Sequence, residues 1–268
     1  MRPNYDKFPS IAVPASAGLC RVGWEDCAGR LRQAISQRDA RKTVLIVDLD
    51  PQASLTLSMG INPLQIEKSI HQVLVDPNVD IKSTILKLPN HNIRIVPSHM
   101  DLVMAESELA GRIGREKALQ KKLAPIKGDF DYIFIDCPPT LGILVVNALT
   151  AADSILIPIQ CEPLTLYGVK HLLQIINLIK EDVNPTLKIE GVLRTMYDRR
   201  TKLSEEVSSS IQQTFGDLVF STIIYRHVKF AEGPIHEMPI NSYASRSLGA
   251  DEYRNLTKEF LAHEIKKV

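Results

Sequence analysis

Val44-Leu45-Ile46-Val47-Asp48-Leu49-Asp50-Pro51-Gln52 is the stretch that decides the fold. Its first four residues are apolar and mostly branched, which suits a strand buried on both faces of a parallel sheet. Asp48 and Asp50 stand at its carboxyl end, and Pro51, with no N–H to give a sheet, stops it. Ligands of open α/β sheets bind along that carboxyl edge. Two carboxylates two residues apart on a strand point to the same side, a spacing suited to holding a water or a metal-bound phosphate. The plain alternative is a strand closed by a solvated acidic turn. This stretch alone does not separate the two.

Tyr132-Ile133-Phe134-Ile135-Asp136 repeats the pattern and runs into Cys137-Pro138-Pro139. A carboxylate at the tip of a buried strand is what nucleotide-hydrolysing folds use for magnesium, directly or through water. One such aspartate usually only caps a turn; two strands, each ending in Asp followed closely by Pro, are harder to dismiss. Further strands are predicted at Ser10–Val13, Ile93–Val96, Ser154–Ile159, Ile189–Thr195 and Leu218–Ile224. Helical spacing covers Leu31–Ala40, Ser69–Val75, Leu141–Leu149, Leu164–Glu181, Leu203–Thr214 and Asp251–Lys266, with Asp101–Ala124 interrupted near Gly111 and Gly114. This alternation predicts a doubly wound, mostly parallel α/β sheet of about seven strands with helices on both faces. No linker rich in Gly, Pro or Ser and no internal repeat divides the chain, so a single domain over residues 1–268 is expected.

The bulk composition adds bounds. With 44% hydrophobic and 24% charged residues in 268, the chain has the makeup of an ordinary globular protein. Its formal net charge of +1 supplies no global attraction for nucleic acid, so any such binding rests on a local basic patch. Cys20, Cys27, Cys137 and Cys161 have neither paired metal-ligand spacing nor the density of a disulfide framework, which fits a reduced, cytosolic protein. No apolar run reaches the length of a membrane span, and Met1–Pro9 lacks a signal-peptide core. Lys121-Lys122 and Lys266-Lys267 read as solvated faces, and Leu164–Ile179 as a core or dimer-adjacent helix.

Five segments closely resemble the ParA family of partition ATPases. They are Val44–Ala53, Tyr132–Gly142 (YIFIDCPPTLG), Ala151–Glu162 (AADSILIPIQCE), Glu190–Thr201 (EGVLRTMYDRRT) and Tyr225–Glu232 (YRHVKFAE). The resemblance runs from about Lys42 to the C-terminus and implies a P-loop NTPase-like fold that uses ATP and Mg2+. Carried over by position, Asp50 resembles the carboxylate that positions the attacking water, and Asp48 the one that braces the phosphate loop. Asp136 resembles the Walker-B aspartate that serves magnesium, with Pro138 beside it at the cofactor. The family's Pro-Arg-Asn against the adenine is here Tyr225-Arg226-His227, which leaves Tyr225 and His227 to rebuild the base contacts. The resemblance further implies an ATP-sandwiched homodimer that binds DNA without sequence preference and is stimulated by a ParB-type partner. Arg200 and Arg226, with Lys229 beside them, match the family's DNA surface, where phosphate-directed cations give salt-sensitive binding. A cytoplasmic, nucleoid-associated location follows from the same likeness.

One family feature is missing. The phosphate loop, Lys-Gly-Gly-any-Gly-Lys-Thr-Thr, belongs after the strand at Ile11, where backbone N–H groups and two lysines grip the phosphates and a threonine hydroxyl holds magnesium. Pro14–Gly29 offers Gly18, Gly23 and Gly29 but no lysine, and Arg21, the only nearby cation, is no substitute for two placed ammonium groups. Either the chain is a degenerate homologue, or this aberrant segment is a translated frame slip. A one-base shift of Trp24-Glu25-Asp26-Cys27-Ala28 permits Gly-Lys-Thr-Ala, although shifted Val22 cannot give Gly and shifted Cys20 cannot give Lys. We expect ATP to bind poorly to the chain as written. Resequencing codons 10–42 decides the origin: an unbroken frame matching these residues excludes the slip.

Two rivals remain. A MinD-like membrane-cycling ATPase would end in an amphipathic membrane helix. The apolar positions Tyr253, Leu256, Phe260, Leu261 and Ile265 instead suit a helix packed on the core. The other is a non-hydrolysing pseudo-ATPase that binds DNA or a partner.

Overall fold

The computed structural model describes residues 10–14, 42–88, 93–163, 165–227, 244 and 246–265, the first five by backbone alone. The predicted helix at Leu31–Ala40 and the aberrant stretch after Pro14 lie outside the described residues. Parallel strands β1 (Ser10–Pro14), β2 (Val44–Asp48), β4 (Ile93–Val96), β5 (Tyr132–Cys137), β6 (Ser154–Gln160), β7 (Lys188–Tyr197) and β8 (Val219–Tyr225) form one sheet. The two-residue β3 (Leu86–Lys87), absent from the sequence reading, pairs antiparallel with β4 and brings the sheet to eight strands in the order β3-β4-β2-β5-β1-β6-β7-β8. The chain leaves β1 for β2 on one side, fills the gap with β5, then starts β6 on the other side. The winding therefore reverses at β1, which is where open α/β sheets form their ligand crevice.

Alternate residues of each central strand face opposite sides. Leu45, Val47, Ile133, Ile135, Ile155 and Ile157 belong to one core, and Val44, Ile46, Tyr132, Phe134 and Leu156 to the other. Helices α2 (Ile70–Val75), α3 (Ala105–Ala110), α4 (Ala118–Leu123), α5 (Ile143–Ala151), α6 (Thr165–Asp182) and α7 (Lys202–Phe215) cover the first face. Among the described residues, α1 (Ser54–Ser58) and α8 (Leu248–Ile265) cover the second, through Leu55 and through Tyr253, Leu256 and Phe260. Tyr253, Leu256 and Phe260 of the predicted stripe therefore pack on the core with Leu261 at its margin, and the Ile265 side chain lies outside the described residues.

Local chemistry sets the element ends. Ser69 and Gln72 form a reciprocal capping box at the start of α2. The predicted long helix from Asp101 breaks into α3 and α4 around Gly114, whose φ of 72° is a conformation glycine adopts without a Cβ penalty. Asp131 ties together the residues that lead into β2 and β5: it accepts from the Thr43 N–H at 2.7 Å, the Thr43 hydroxyl at 2.9 Å and the Lys42 ammonium at 3.2 Å. Lys122 departs from the expected solvated face. Its ammonium donates to the carbonyls of Asp76 and Pro77, both at 2.9 Å, and so holds the chain after α2 against α4.

Gly191 on β7 makes room for Phe220 on β8. A Cβ there would lie 2.3 Å from the Phe220 ring, which is fully buried. Gly191→Ala is expected to lower the unfolding free energy by about 1–3 kcal/mol through overpacking. Urea denaturation of the pair checks this, and an unchanged midpoint would mean that the sheet relaxes at no cost.

Candidate nucleotide site and basic edge

The two acidic strand ends meet. β2 and β5 pair in register down to Asp48 opposite Asp136, and the Leu49 N–H continues the ladder to the Asp136 carbonyl at 2.8 Å. On the other side of β5, Val13 stands opposite Asp136 and Pro14 opposite Cys137. The point where the chain leaves β1 therefore adjoins Asp136. Asp48, Asp50 and Asp136 are all buried, with 0%, 8% and 5% of their surface exposed. Pro138, just past β5, is buried as well.

Asp48 and Asp50 do not leave one strand side by side, because β2 ends at Asp48 and the chain turns. Asp48 Oδ1 accepts the Asp50 N–H at 3.2 Å, while its Oδ2 accepts the Thr56 hydroxyl at 2.6 Å and the Thr56 N–H at 2.8 Å. The Thr56 hydroxyl accepts the Ser98 N–H at 3.0 Å, and the Ser98 hydroxyl donates to the Asp50 carbonyl at 2.6 Å. Asp48, Thr56, Ser98 and the Asp50 backbone thus close a ring that joins β2, α1 and the end of β4. Ala53 completes the turn in the left-handed region, at φ 52°, with its N–H on the Asp50 carbonyl at 2.9 Å. Thr56 and Ser98 escaped the sequence reading. Nothing in the sequence announces that the Thr56 hydroxyl will meet a backbone N–H 42 residues further on.

Burial pushes the Asp48 carboxyl up to about 7 against the pull of its three donors, and the nearby Asp50 charge adds to the rise. Burial also raises Asp50, opposed by the Gln52 N–H that donates to its Oδ1 at 2.9 Å. Among the described residues no three His, Cys, Asp or Glu side chains form a metal-holding group. A few hard carboxylate oxygens at strand tips fit magnesium bound by one or two carboxylates plus phosphate oxygens, not a metal caged by protein alone. The phosphate side fits poorly, since the sequence holds no lysine between Lys7 and Lys42.

At the far end of the same edge, Tyr225 closes β8. The Arg199 guanidinium lies 3.9 Å over its ring, and Tyr197 meets it edge-on with centroids 5.5 Å apart. Glu252 of α8 accepts the Tyr225 N–H at 3.1 Å and faces His227 Nε2 at 2.9 Å. The segment expected beside the base is therefore tied to α8 by one carboxylate. Burial raises the Glu252 carboxyl, opposed by its His227 and Tyr225 contacts.

The arginines expected on the DNA surface reach this edge too, each already paired. Arg200, with 85% of its side chain exposed, forks onto Asp198 at 2.9 and 2.7 Å, and these bonds hold the Asp198 carboxyl well below its ordinary range. Arg226 reaches across to Glu162, just past β6, at 2.7 Å. A cleft of about 290 Å³ opens beside them, lined by Glu162, Met196, Asp198, Thr201 and Arg226 among others. Lys229 lies outside the described residues. Cys137 and Cys161 are buried, and burial drives the Cys161 thiol up to about 12, which fits packing rather than nucleophilic use.

A parallel sheet wound from a central strand, with acidic tips beside that strand's exit, is an arrangement in which α/β proteins bind nucleotides. Residues 27–189 match the family described as AAA domain. The chain is 42% identical over 222 residues to the sporulation initiation inhibitor protein Soj of Bacillus subtilis, covering 83% of this chain and 87% of the relative. It is 41% identical over 225 residues to the chromosome-partitioning ATPase Soj of Treponema pallidum, covering 84% and 87%. Among solved structures, cobyrinic acid a,c-diamide synthase from Mycobacterium smegmatis with bound ADP and magnesium superposes with a TM-score of 0.82 at 33% identity, covering 97% and 96%. The chain belongs to the ParA family, in the ParA/MinD class of P-loop NTPases.

Proposed function

We propose that this chain is a ParA-type partition protein. It would act as an ATP-dependent homodimer that holds DNA without sequence preference in the cytoplasm, on the nucleoid, and answers a ParB-type partner. The observation that carries this is the in-register pair Asp48–Asp136 beside the exit of β1, with Asp50 in the next turn. In this reading Asp50 orients the attacking water. Asp136, next to Pro138, serves a magnesium ion that would neutralise phosphate charge. Asp48, its oxygens committed to Thr56 and Asp50, braces the crevice rather than touching the nucleotide. Tyr225 and His227 stand three strand spacings from β1, about 14 Å, a distance comparable with an extended nucleoside triphosphate whose phosphates lie at β1. Among the described residues no helix is long and apolar enough to cross a membrane.

The missing phosphate loop favours a second reading, a pseudo-ATPase that keeps DNA and partner binding without turnover. Retention on DNA tests what the two readings share. Arg226→Ala is expected to weaken binding to unrelated sequences about equally and to reduce the salt slope by about 1. A loss confined to one sequence would contradict non-specific phosphate contact. ATP turnover measured with DNA and partner present then separates enzyme from pseudo-enzyme.

A further inference from the structure

We infer that Glu162 sets the DNA affinity of this edge by occupying Arg226, so that a DNA phosphate must displace a carboxylate of the protein before it can use that arginine. The inference rests on the DNA-binding reading and goes beyond it. Glu162 follows β6 and Arg226 follows β8, so the contact spans the tip of β7 and joins residues 64 apart. The pair is close, at 2.7 Å, yet only partly shielded: 51% of the Arg226 side chain and 38% of the Glu162 side chain are exposed. An ion pair that open contributes little to stability. Phosphate can therefore compete for it, unlike a buried pair, which would be out of reach.

The second carboxylate of the cleft works in the same direction. Asp198 forks onto Arg200 and also accepts the Arg200 N–H at 3.0 Å. The two arginines expected to meet DNA are thus each matched by an acid that lines the same cleft. Asp198 is also part of the turn into α7, because its carbonyl accepts the Thr201 N–H at 3.2 Å. Glu162 is therefore the cleaner place to open the latch. Its carboxylate contact is with Arg226, and its backbone carbonyl, which accepts the Thr165 N–H at 3.2 Å, is untouched by an isosteric change.

The test is Glu162→Gln in the full chain, alone and combined with Arg226→Ala, with binding to unrelated duplexes measured from low to moderate salt. Releasing Arg226 should raise affinity several-fold at low salt and leave the slope of log affinity against log salt unchanged, because the same phosphate contact forms without first displacing Glu162. In the double variant that gain should vanish and leave the affinity of Arg226→Ala. Binding by Glu162→Gln equal to the parent, with Arg226→Ala still weakened, overturns the latch but leaves the DNA reading standing. A gain that persists in the double variant also overturns it, since the effect would then be general charge removal. DNA retained by no variant overturns the latch and the reading beneath it together.

Discussion

Rebuilding the phosphate loop raises affinity for magnesium–ATP by at least about 100-fold over the chain as it stands. Each charge-assisted hydrogen bond to a phosphate contributes about 1.5–3 kcal/mol, and the family loop adds two lysines and a run of backbone N–H groups to one such site. Residues 15–41, which follow β1, include no lysine. They leave the acidic tips of β2 and β5 to face a polyanion with little compensation. The variant replaces the segment after β1 with Lys-Gly-Gly-Val-Gly-Lys-Thr-Thr in the family register, and titration calorimetry compares the two chains. Turnover in the rebuilt chain should depend on Asp50: Asp50→Ala should cut it by about 100-fold or more while sparing nucleotide binding. If the parent chain binds ATP as well as the rebuilt one, the sequence from Pro14 to Arg41 grips phosphate in a way the family does not, and the impairment proposed here is wrong.

The second large effect concerns Asp48 and stability. Replacing Asp48 with alanine removes the acceptor of three hydrogen bonds and opens the ring through Thr56 and Ser98, at a cost of about 2–4 kcal/mol at pH 5. The pH dependence gives a sharper test. Folded Asp48 titrates near 7 and unfolded Asp48 near 3.8, so between those values the folded chain keeps a proton that the unfolded chain has lost. A raised carboxyl therefore contributes most below about pH 4, and its contribution declines as pH rises to about 7, by an amount on the order of 4 kcal/mol at most. Asp50 and Glu252 are raised too and act in the same direction. Asp131 and Glu259 are lowered, so their contributions fade only under acid. Urea unfolding at pH 5, 6.5 and 8 should show the parent losing stability across the series and Asp48→Ala losing clearly less, the remainder coming from Asp50 and Glu252. Parallel curves for the two chains would show that the three donors keep Asp48 ionised in the fold.

Much of this was legible because the signals are local. Runs such as Val44–Val47 and Tyr132–Ile135 bury on both faces wherever they sit, so every parallel strand was readable from its own residues. β3 was not: Leu86-Lys87 is two exposed residues that become a strand only because β4 passes alongside. Lys121 and Lys122 look alike in the chain, yet the carbonyls of Asp76 and Pro77 converge on Lys122. The acidic tips were found through their strands. The ring that commits Asp48 to Thr56 and Ser98 was hidden, because it closes across three elements.

By itself, then, the sequence determined the layered α/β plan, the aspartates at the strand tips and the lack of phosphate-gripping lysines, since periodicity, residue type and absence are properties of neighbours in the chain. Tertiary structure alone decided that Asp48 faces Asp136 at the exit of β1, that Asp48 spends its oxygens inside the fold, and that Arg226 meets Glu162. Each of these is a short-range interaction, effective over a few ångströms, between groups that stand far apart in the chain, as Asp48 and Asp136 do at 88 residues. Only the winding of the sheet brings them that close.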